Sequence, residues 1–451
     1  MPKKNGQAIF SVVVALLFLA LIIFVSASKF SLPILPLIFV LAPIVFIVTF
    51  INTDAALIIL IFSMLLSPEL KIAEVPAQAV VVRIDDILLF VIFSSWLAKT
   101  AINKELGLLR RTPLNPLIIA FILVYILSTG IGILTGHIHP LKSFFYIIKF
   151  VEYFMLYFLV TNNIRDKKQI KTFIAVFLVT CAIVCAYATT QIGVLGRTTA
   201  PFEGEEGEAN TFGGYLILLF AVCIGLFLYA PSSVWRFSSA ALACFIIPPF
   251  LFTLSRGSYL AFIFMYLTLV ILTKKKRPLL IGILILAIFV LPAILPNRVT
   301  GRIEETFIPG KVYKPFNTRI TLDESAAARV ENWKHIFESW KRRPFLGYGV
   351  TGVGLVDTQY PRVLGETGII GFWIFIWLII TILRYTFHIF NNIKDDWAQG
   401  LTLGFLAGFI GLLIHSFSAN TFIIVRIMEP FWFLAAVVIM LPKIMGVPLL
   451  K

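Results

Sequence analysis

Charged residues are scarce in this sequence. They make up 14% of its 451 residues, whereas soluble globular domains carry about 25%. Apolar residues, in contrast, make up 59% of the chain. This balance excludes a soluble globular domain and predicts an all-α polytopic membrane protein, because helices satisfy every backbone polar group inside a bilayer.

Cysteine, histidine and acidic residues are also few. All four cysteines fall inside apolar runs, so the sequence predicts neither a disulfide framework nor a cysteine-based metal site. His137 and His139 lack further ligands nearby, and we expect no metal or other cofactor.

The shortage of acidic residues leaves a net charge of +15, but the basic residues form short clusters between apolar runs, where they meet anionic lipid. Membrane lipids are therefore the expected partners, and nucleic acid is not.

The apolar runs predict about fourteen membrane-spanning helices, since about 20 apolar residues cross a bilayer. The first follows Met1-Pro2-Lys3-Lys4, a start that resembles a signal peptide, but the run is long enough to span and no clear cleavage site closes it. The third and fourth spans are short. The predicted spans are residues 8–28, 32–50, 55–67, 86–101, 116–135, 142–162, 172–192, 211–230, 237–254, 258–273, 279–297, 367–388, 398–419 and 430–447.

The orientation follows from the positive-inside rule. With the N-terminus inside, the short inside loops are the ones rich in Lys and Arg, such as residues 99–111, 165–171 and 274–277. The chain is then a single membrane domain over residues 1–451, with one side exposed to the outside of the membrane. The outer segments are residues 68–85, 193–210, 255–257, 298–366 and 420–429.

A long polar interruption, residues 298–366, is predicted to form a large outer, periplasmic loop that caps an active site. It contains an amphipathic helix whose stripe Val330, Trp333, Phe337 and Trp340 lies on an apolar surface. The tryptophans fit either an interfacial lipid anchor or a sugar-stacking surface. The glycine-rich segment Gly347–Gly354 follows, and its composition predicts close approach of the backbone to a ligand.

Isolated charged residues next to apolar runs indicate a function or a specific partner, because placing a charged side chain in the bilayer costs free energy. Arg256 stands at a tight turn between two apolar runs and Arg197 opens an outer loop, so the pair suggests an outer site for a diphosphate. Snorkelling at the interface is the alternative for Arg256. Lys149 with Glu152, and Arg426 with Glu429, have i,i+3 spacing. That spacing predicts intrahelical ion pairs, with a role in a substrate pathway as the alternative.

Four features resemble the O-antigen ligase and polymerase family. They are the segment from Arg197 to Asn210 leading into a helix; Thr253-Leu254-Ser255-Arg256-Gly257; the Arg, Trp, Pro, Gly-x-Gly run of Arg329 to Gly349; and Asp357-Thr358, nine residues before Gly368-Ile369-Ile370-Gly371. The resemblance covers roughly residues 190–440. It implies a GT-C-like glycosyltransferase of the bacterial cytoplasmic membrane, with its active site facing outside and a polyprenyl-diphosphate-linked oligosaccharide as donor.

The resemblance also implies roles for individual residues. Arg197 and Arg256, with Arg329 and Arg362 in addition, are expected to bind the diphosphate. Asp357 stands where the ligases place a histidine proposed to activate the acceptor, and an aspartate can also accept that proton.

Glu366 is the alternative base, although its i−4 neighbour Arg362 offers a simple ion-pair partner. The acidic residue at position 357 favours the polymerase branch, which joins repeat units to a glycan acceptor without a metal. The alternatives are a ligase that transfers the glycan to lipid A core or another acceptor, and a flippase for the same lipid-linked oligosaccharides. A chain-length regulator is a further expected partner of a polymerase.

Overall fold

The computed structural model describes residues 34–75, 78–102, 109–203, 208–305, 311–313, 320–322, 324–354 and 356–448. The first predicted span, residues 8–28, lies outside them. Fifteen helices are formed within the described residues, and they account for the architecture. The helices are α1 (Ile34–Ile51), α2 (Thr53–Leu66), α3 (Ile84–Ile102), α4 (Asn115–Leu134), α5 (Pro140–Asn163), α6 (Lys167–Thr190), α7 (Ala209–Tyr229), α8 (Ser233–Leu251), α9 (Arg256–Leu272), α10 (Arg277–Ile294), α11 (Asn297–Glu304), α12 (Glu324–Arg342), α13 (Gln359–Asn392), α14 (Asp396–His415) and α15 (Val425–Met445).

Eight of these helices are long and apolar enough to cross a membrane: α4 to α8 and α13 to α15. Shorter apolar helical stretches occur in α1, α2, α9 and α10. Large apolar side chains such as Phe289, Trp373 and Trp377 are exposed on the outside of the bundle, as expected for side chains that contact lipid. The chain is therefore a multi-pass membrane protein, and the total of fourteen spans stays a prediction, as does the GT-C-like arrangement.

Two short antiparallel hairpins, which the sequence analysis did not predict, supplement the helices. The first pairs β1 (Glu69–Val75) with β2 (Gln78–Arg83) just before α3. The second pairs β3 (Lys311–Tyr313) with β4 (Ile320–Leu322), inside the polar interruption.

Helices α7, α14 and α15 form the centre of the bundle and are buried along most of their length. Glycines allow α7 and α14 to approach closely: a Cβ on Gly225 would lie 2.8 Å from the backbone nitrogen of Gly404. Small residues at such a crossing bring two backbones into van der Waals contact, which drives association where water cannot.

The loops gather at two opposite ends of the bundle. At one end, Lys167 pairs with Asp395, and Lys275 with Asp396. At the other end the predicted outer segments contact the ends of neighbouring helices. The amide of Thr198 donates to the Phe252 carbonyl at 2.9 Å, and that of Gln359 donates to the Ser416 carbonyl at 3.1 Å. The site described below lies at this second end.

Helix α13 contains a break at its tenth residue. Gly368 has φ 65° and ψ −167°, so the segment 359–367 does not continue directly into the membrane-spanning part. The chain from Pro344 fills the break: the amide of Ile369 donates to the Pro344 carbonyl at 2.8 Å. A left-handed φ here requires glycine, because a Cβ would be strained. The sequence analysis predicted the span from residue 367 but not the helical segment before it.

The amphipathic helix α12 packs through part of the predicted stripe and through Ile336, which the predicted stripe does not include. Its most buried apolar residue is Ile336, which packs against Val353 and Val356. Phe337, by contrast, is 43% exposed. Trp333 of the predicted stripe contacts the bundle, since its ring stacks on Phe417 with 6.4 Å between the ring centres. Ile336 is buried as well because the returning chain at residues 353–356 supplies an apolar surface beneath it.

Candidate active site

A cavity of about 630 Å³ opens among the loops at the second end of the bundle. Six cationic and three acidic side chains line it, so its surface favours an anion. The cationic residues are Arg83, Lys149, Arg197, Arg329, Arg362 and Arg426, and the acidic ones are Glu203, Glu208 and Asp357. Four of the predicted site residues, Arg197, Arg329, Arg362 and Asp357, thus line the same space.

Arg197 is held at the cavity by the turn between α8 and α9. Its Nε donates to the Thr253 carbonyl at 2.7 Å, and its terminal nitrogen lies 3.4 Å from Asn210 Oδ1. Arg302 donates to the next carbonyl, that of Leu254, at 3.3 Å. Desolvation first and the Arg302 cation second lower the pKa of Arg197. Two neighbouring guanidinium groups repel each other, and a bound anion would relieve that repulsion.

Arg256 begins α9 and is half-buried, but it does not line the cavity. Ser255 caps the helix by accepting the Ser258 amide at 3.2 Å. The next residue, Gly257, allows close approach of Ser418, which does line the cavity. Arg256 is therefore positioned beside the cavity wall rather than in it.

Asp357 is exposed to the cavity on a segment fixed at both sides. The Val356 carbonyl accepts from Asn420, the Thr358 hydroxyl accepts from Trp333 Nε1 at 2.9 Å, and the Gln359 amide is bound to Ser416. Within the described part of the chain, no hydrogen bond or ion pair engages the Asp357 carboxylate. The backbone is thus ordered while the carboxylate stays available to a ligand.

Glu366, the alternative base, lies outside the cavity lining. Its side chain is 1% exposed, and its Oε1 accepts from Arg362 Nε at 3.0 Å and from the Thr351 amide at 3.1 Å. Arg362 itself faces the cavity, with its guanidinium 5.9 Å from the centre of the Tyr146 ring. The ion-pair interpretation of Glu366 fits this geometry better than the catalytic one, because Glu366 orients an arginine and has no open path to a substrate.

Three cavity cations, Arg83, Lys149 and Arg426, were not among the predicted site residues. The predicted i,i+3 ion pairs were wrong for two of them. Lys149 Nζ lies 3.2 Å from Asp86 instead of pairing with Glu152. Arg426 donates to the carbonyls of residues 201 and 202 at 2.7 and 2.8 Å, and it lies 3.8 Å from Glu203 instead of pairing with Glu429. In each case another element supplies the partner, which spacing along one helix cannot indicate.

Residues 249–376 match the family model Wzy_C, whose description is O-antigen ligase. The match includes the turn that holds Arg197, and it extends through Arg329, Asp357 and the Gly368 break. The match supports the O-antigen ligase and polymerase family over this part of the chain. No curated protein matches the chain. The family supports an enzyme of the O-antigen ligase or polymerase type, and the preference for the polymerase branch stays a prediction.

A run of acidic residues follows Arg197 in the sequence, and such a run is typical of a solvated loop, but Glu203 in it is buried. Its side chain is 3% exposed, and its Oε2 accepts the amides of Ala200 at 3.2 Å and Glu208 at 3.0 Å. Burial raises the pKa of Glu203 to about 7, while Arg426 acts in the opposite direction. The neighbouring Phe202 has φ 60°, a conformation that non-glycine residues rarely adopt. Residues 204–207 of the run lie outside the described residues.

The glycine-rich segment does not approach the cavity, contrary to the prediction. Gly347 and Gly349 instead permit contact with other parts of the backbone: a Cβ on Gly349 would lie 2.8 Å from the Thr129 Cα. The amides of Tyr348 and Gly349 donate to the carbonyls of Gly365 and Glu366 at 3.0 and 2.8 Å. The family's Gly-x-Gly run in this chain therefore fastens α12 to the first part of α13.

Among the described residues, no group of three or more His, Cys, Asp or Glu side chains is arranged to hold a metal ion. Charge compensation at the cavity comes from the arginines and Lys149. What the site offers chemically is a set of fixed cations and one available carboxylate, Asp357, at the same cavity.

Proposed function

We propose that this protein is a polysaccharide polymerase that joins polyprenyl-diphosphate-linked oligosaccharide repeat units at the outer face of the bacterial cytoplasmic membrane. The observation that carries the proposal is the exposure of Asp357 to a cavity with six cationic side chains. A diphosphate requires such cations, and glycosyl transfer to a hydroxyl requires a proton acceptor beside them.

In the proposed mechanism, Arg197, Arg329 and Arg362 bind the donor diphosphate, with Arg83, Lys149 and Arg426 adding positive potential. Asp357 takes the proton from the acceptor hydroxyl as its oxygen attacks the anomeric carbon. The bond from that carbon to the phosphate oxygen breaks, and its electron pair leaves with the lipid diphosphate. The cations stabilise this developing charge, and attack from the opposite face inverts the anomeric centre.

Arg256 keeps a place in the proposal beside the cavity wall. Its position next to Gly257 and Ser418 suits a contact with the donor's outer part or with a neighbouring loop. Glu366 acts by positioning Arg362.

The test uses purified protein in lipid bilayers with a lipid-linked repeat unit. We expect Asp357→Asn to lower the rate of chain growth by roughly 10²- to 10⁴-fold, the usual contribution of a general base. Glu338→Gln is the matched control, because Glu338 is an exposed acid of α12 outside the cavity lining. Near-normal chain growth by Asp357→Asn, with donor binding unchanged, would show that the base is a different group.

The second candidate is a ligase, which the description of the matching family model favours. The same assay separates the two when lipid A core is supplied together with the repeat unit. A ladder of lengthening chains supports the polymerase, whereas a single transfer to the core, without lengthening, supports the ligase. The family match gives no support to the flippase alternative.

A further inference from the structure

Four carboxylic side chains lie together beneath the cavity. Asp85 and Asp86 belong to the first turn of α3, Glu152 to the middle of α5 and Glu429 to α15. Glu429 is within side-chain hydrogen-bonding reach of Asp85, and Glu152 is within reach of Asp86. The four side chains therefore form two facing pairs, which we call the acid cluster.

The two aspartates of the acid cluster have hydrogen-bond donors. Arg83 forms an ion pair with Asp85, and its amide donates to Asp86 Oδ2 at 2.9 Å. The Ser67 hydroxyl donates to Asp85 at 2.6 Å, and Lys149 lies 3.2 Å from Asp86. These contacts suit ionised aspartates.

The two glutamates are different. Neither oxygen of Glu429 nor Oε1 of Glu152 receives an N–H or O–H donor from the described residues. Glu429 is fully buried, Glu152 is 5% exposed, and Arg426, one turn before Glu429, is directed to Glu203 and the loop above. An ionised carboxylate in such surroundings costs several kcal/mol. A protonated one becomes a donor to the aspartate that it faces, and the orphaned oxygens are then explained.

The charges lead to the same conclusion. Within the described part of the chain, the four carboxylates face two cations, Arg83 and Lys149, which leaves two negative charges if every carboxylate is ionised. Two bound protons remove that surplus. We propose that the acid cluster holds two protons at neutral pH, one on Glu152 shared with Asp86 and one on Glu429 shared with Asp85, and so keeps the floor of the cavity neutral.

This proton site has a consequence for the ligand. Arg83 and Lys149 line the cavity while they contact the aspartates, so loss of the two protons would place two negative charges directly behind them. Anion binding in the cavity then weakens as pH rises. This consequence rests on the proposed diphosphate ligand, whereas the presence of the protons does not.

The direct test is infrared spectroscopy of the full-length protein in bilayers at pH 7, because protonated carboxyl groups absorb apart from carboxylates and shift in D₂O. All samples carry Glu203→Gln, which removes the signal of Glu203. We expect Glu152→Gln and Glu429→Gln each to remove about half of the protonated signal, since each pair holds one proton, and the double variant to remove it. Asp395→Asn, an ion-paired carboxylate at the other end of the bundle, should leave it unchanged. A signal that is absent, or unchanged in the double variant, would overturn the proposal.

The consequence for binding is tested with inorganic pyrophosphate in the same Glu203→Gln background. We expect its affinity to fall as the pH is raised, and the Glu152→Gln/Glu429→Gln variant to keep its affinity, because glutamine stays neutral. An equal fall in both would overturn the link to the cavity. If the spectra show two protons and pyrophosphate does not bind at all, the proposed function fails while the proton site stands.

Discussion

At the scale of single residues, the balance of charge around the cavity depends on Glu203. It is buried against the cation Arg426, and its pKa is raised to about 7. A carboxyl group is protonated at pH values below its pKa and ionised at pH values above it. Below pH 7 Glu203 is neutral and Arg426 is less compensated. Above pH 7 the Glu203 carboxylate offsets Arg426 and weakens the attraction of the cavity for an anion.

We therefore expect the KM for the lipid-linked donor to rise as pH increases through about 7. At an effective dielectric constant near 20, the charge on Glu203 weakens binding of the diphosphate by about 1 kcal/mol. The expected rise in KM is therefore about fivefold. Glu203→Gln should abolish this step and keep the low-pH KM. The matched control Glu338→Gln should retain it. A step of unchanged size in Glu203→Gln would assign the titration to another group.

Site residues that belong to a sequence motif could be predicted, whereas those positioned by contacts between helices could not. Arg197 and Asp357 were predicted to converge from sequence order and motif resemblance, and they line one cavity. Arg83 was missed because its aspartates resemble an interfacial cluster in sequence. Glu152 and Glu429 were assigned to partners on their own helices, but in the fold Lys149 contacts Asp86 and Arg426 contacts Glu203 instead. Contacts between different helices determine the partners of these charged side chains, and a single sequence does not show those contacts.

At the scale of elements, the sequence predicted the helices well because apolar runs are long and their ends are polar. Every predicted span within the described residues corresponds to a helix. The burial of Ile336 on α12 and the two hairpins were not predicted, because partner surfaces determine both. The glycines illustrate the same limit: Gly225 and Gly282 look alike in sequence, yet one lies at a helix crossing and the other has nothing within 4 Å of its Cβ position.

This pair of glycines provides a matched test of the α7–α14 contact. Gly225→Ala places a methyl group where Gly404 lies within 2.8 Å, so we expect a loss of about 1 to 3 kcal/mol in stability, as for overpacked cores. Thermal unfolding in detergent should show it as a lowered Tm. Gly282→Ala, in open space on α10, should leave the Tm unchanged. Equal behaviour of the two variants would mean that the crossing is looser than described.

At the scale of the whole molecule, the loops separate into two groups. The loops predicted inside meet through Lys167 with Asp395 and Lys275 with Asp396, and the predicted outer segments meet around the cavity. A sequence can predict this grouping because each membrane span takes the chain to the other side, so that successive loops lie on alternating sides. The depth of the cavity and the partners of its charges depend on packing, which alternation does not determine.

The proposed orientation can be tested by labelling single cysteines in cells. Val194 lies in an exposed loop of the cavity end and Ser232 in an exposed loop of the opposite end, and Cys244 is replaced by serine because it is the exposed native cysteine. We expect a membrane-impermeant maleimide to label Val194→Cys in intact spheroplasts and Ser232→Cys only after permeabilisation. The parent Cys244→Ser protein should remain unlabelled. The reverse pattern would place the cavity on the cytoplasmic side.

The break at Gly368 divides α13 into a short segment at the cavity and a long segment that crosses the membrane. The segment before it carries Arg362 and follows directly from Asp357, and it is anchored to residues 344–349 and to Ser416. The segment after it crosses the membrane. When the bilayer thins or thickens, we expect the membrane-spanning part to tilt about Gly368 while Asp357 and Arg362 keep their positions at the cavity. The geometry of the proposed site would then not change with the thickness of the surrounding lipid.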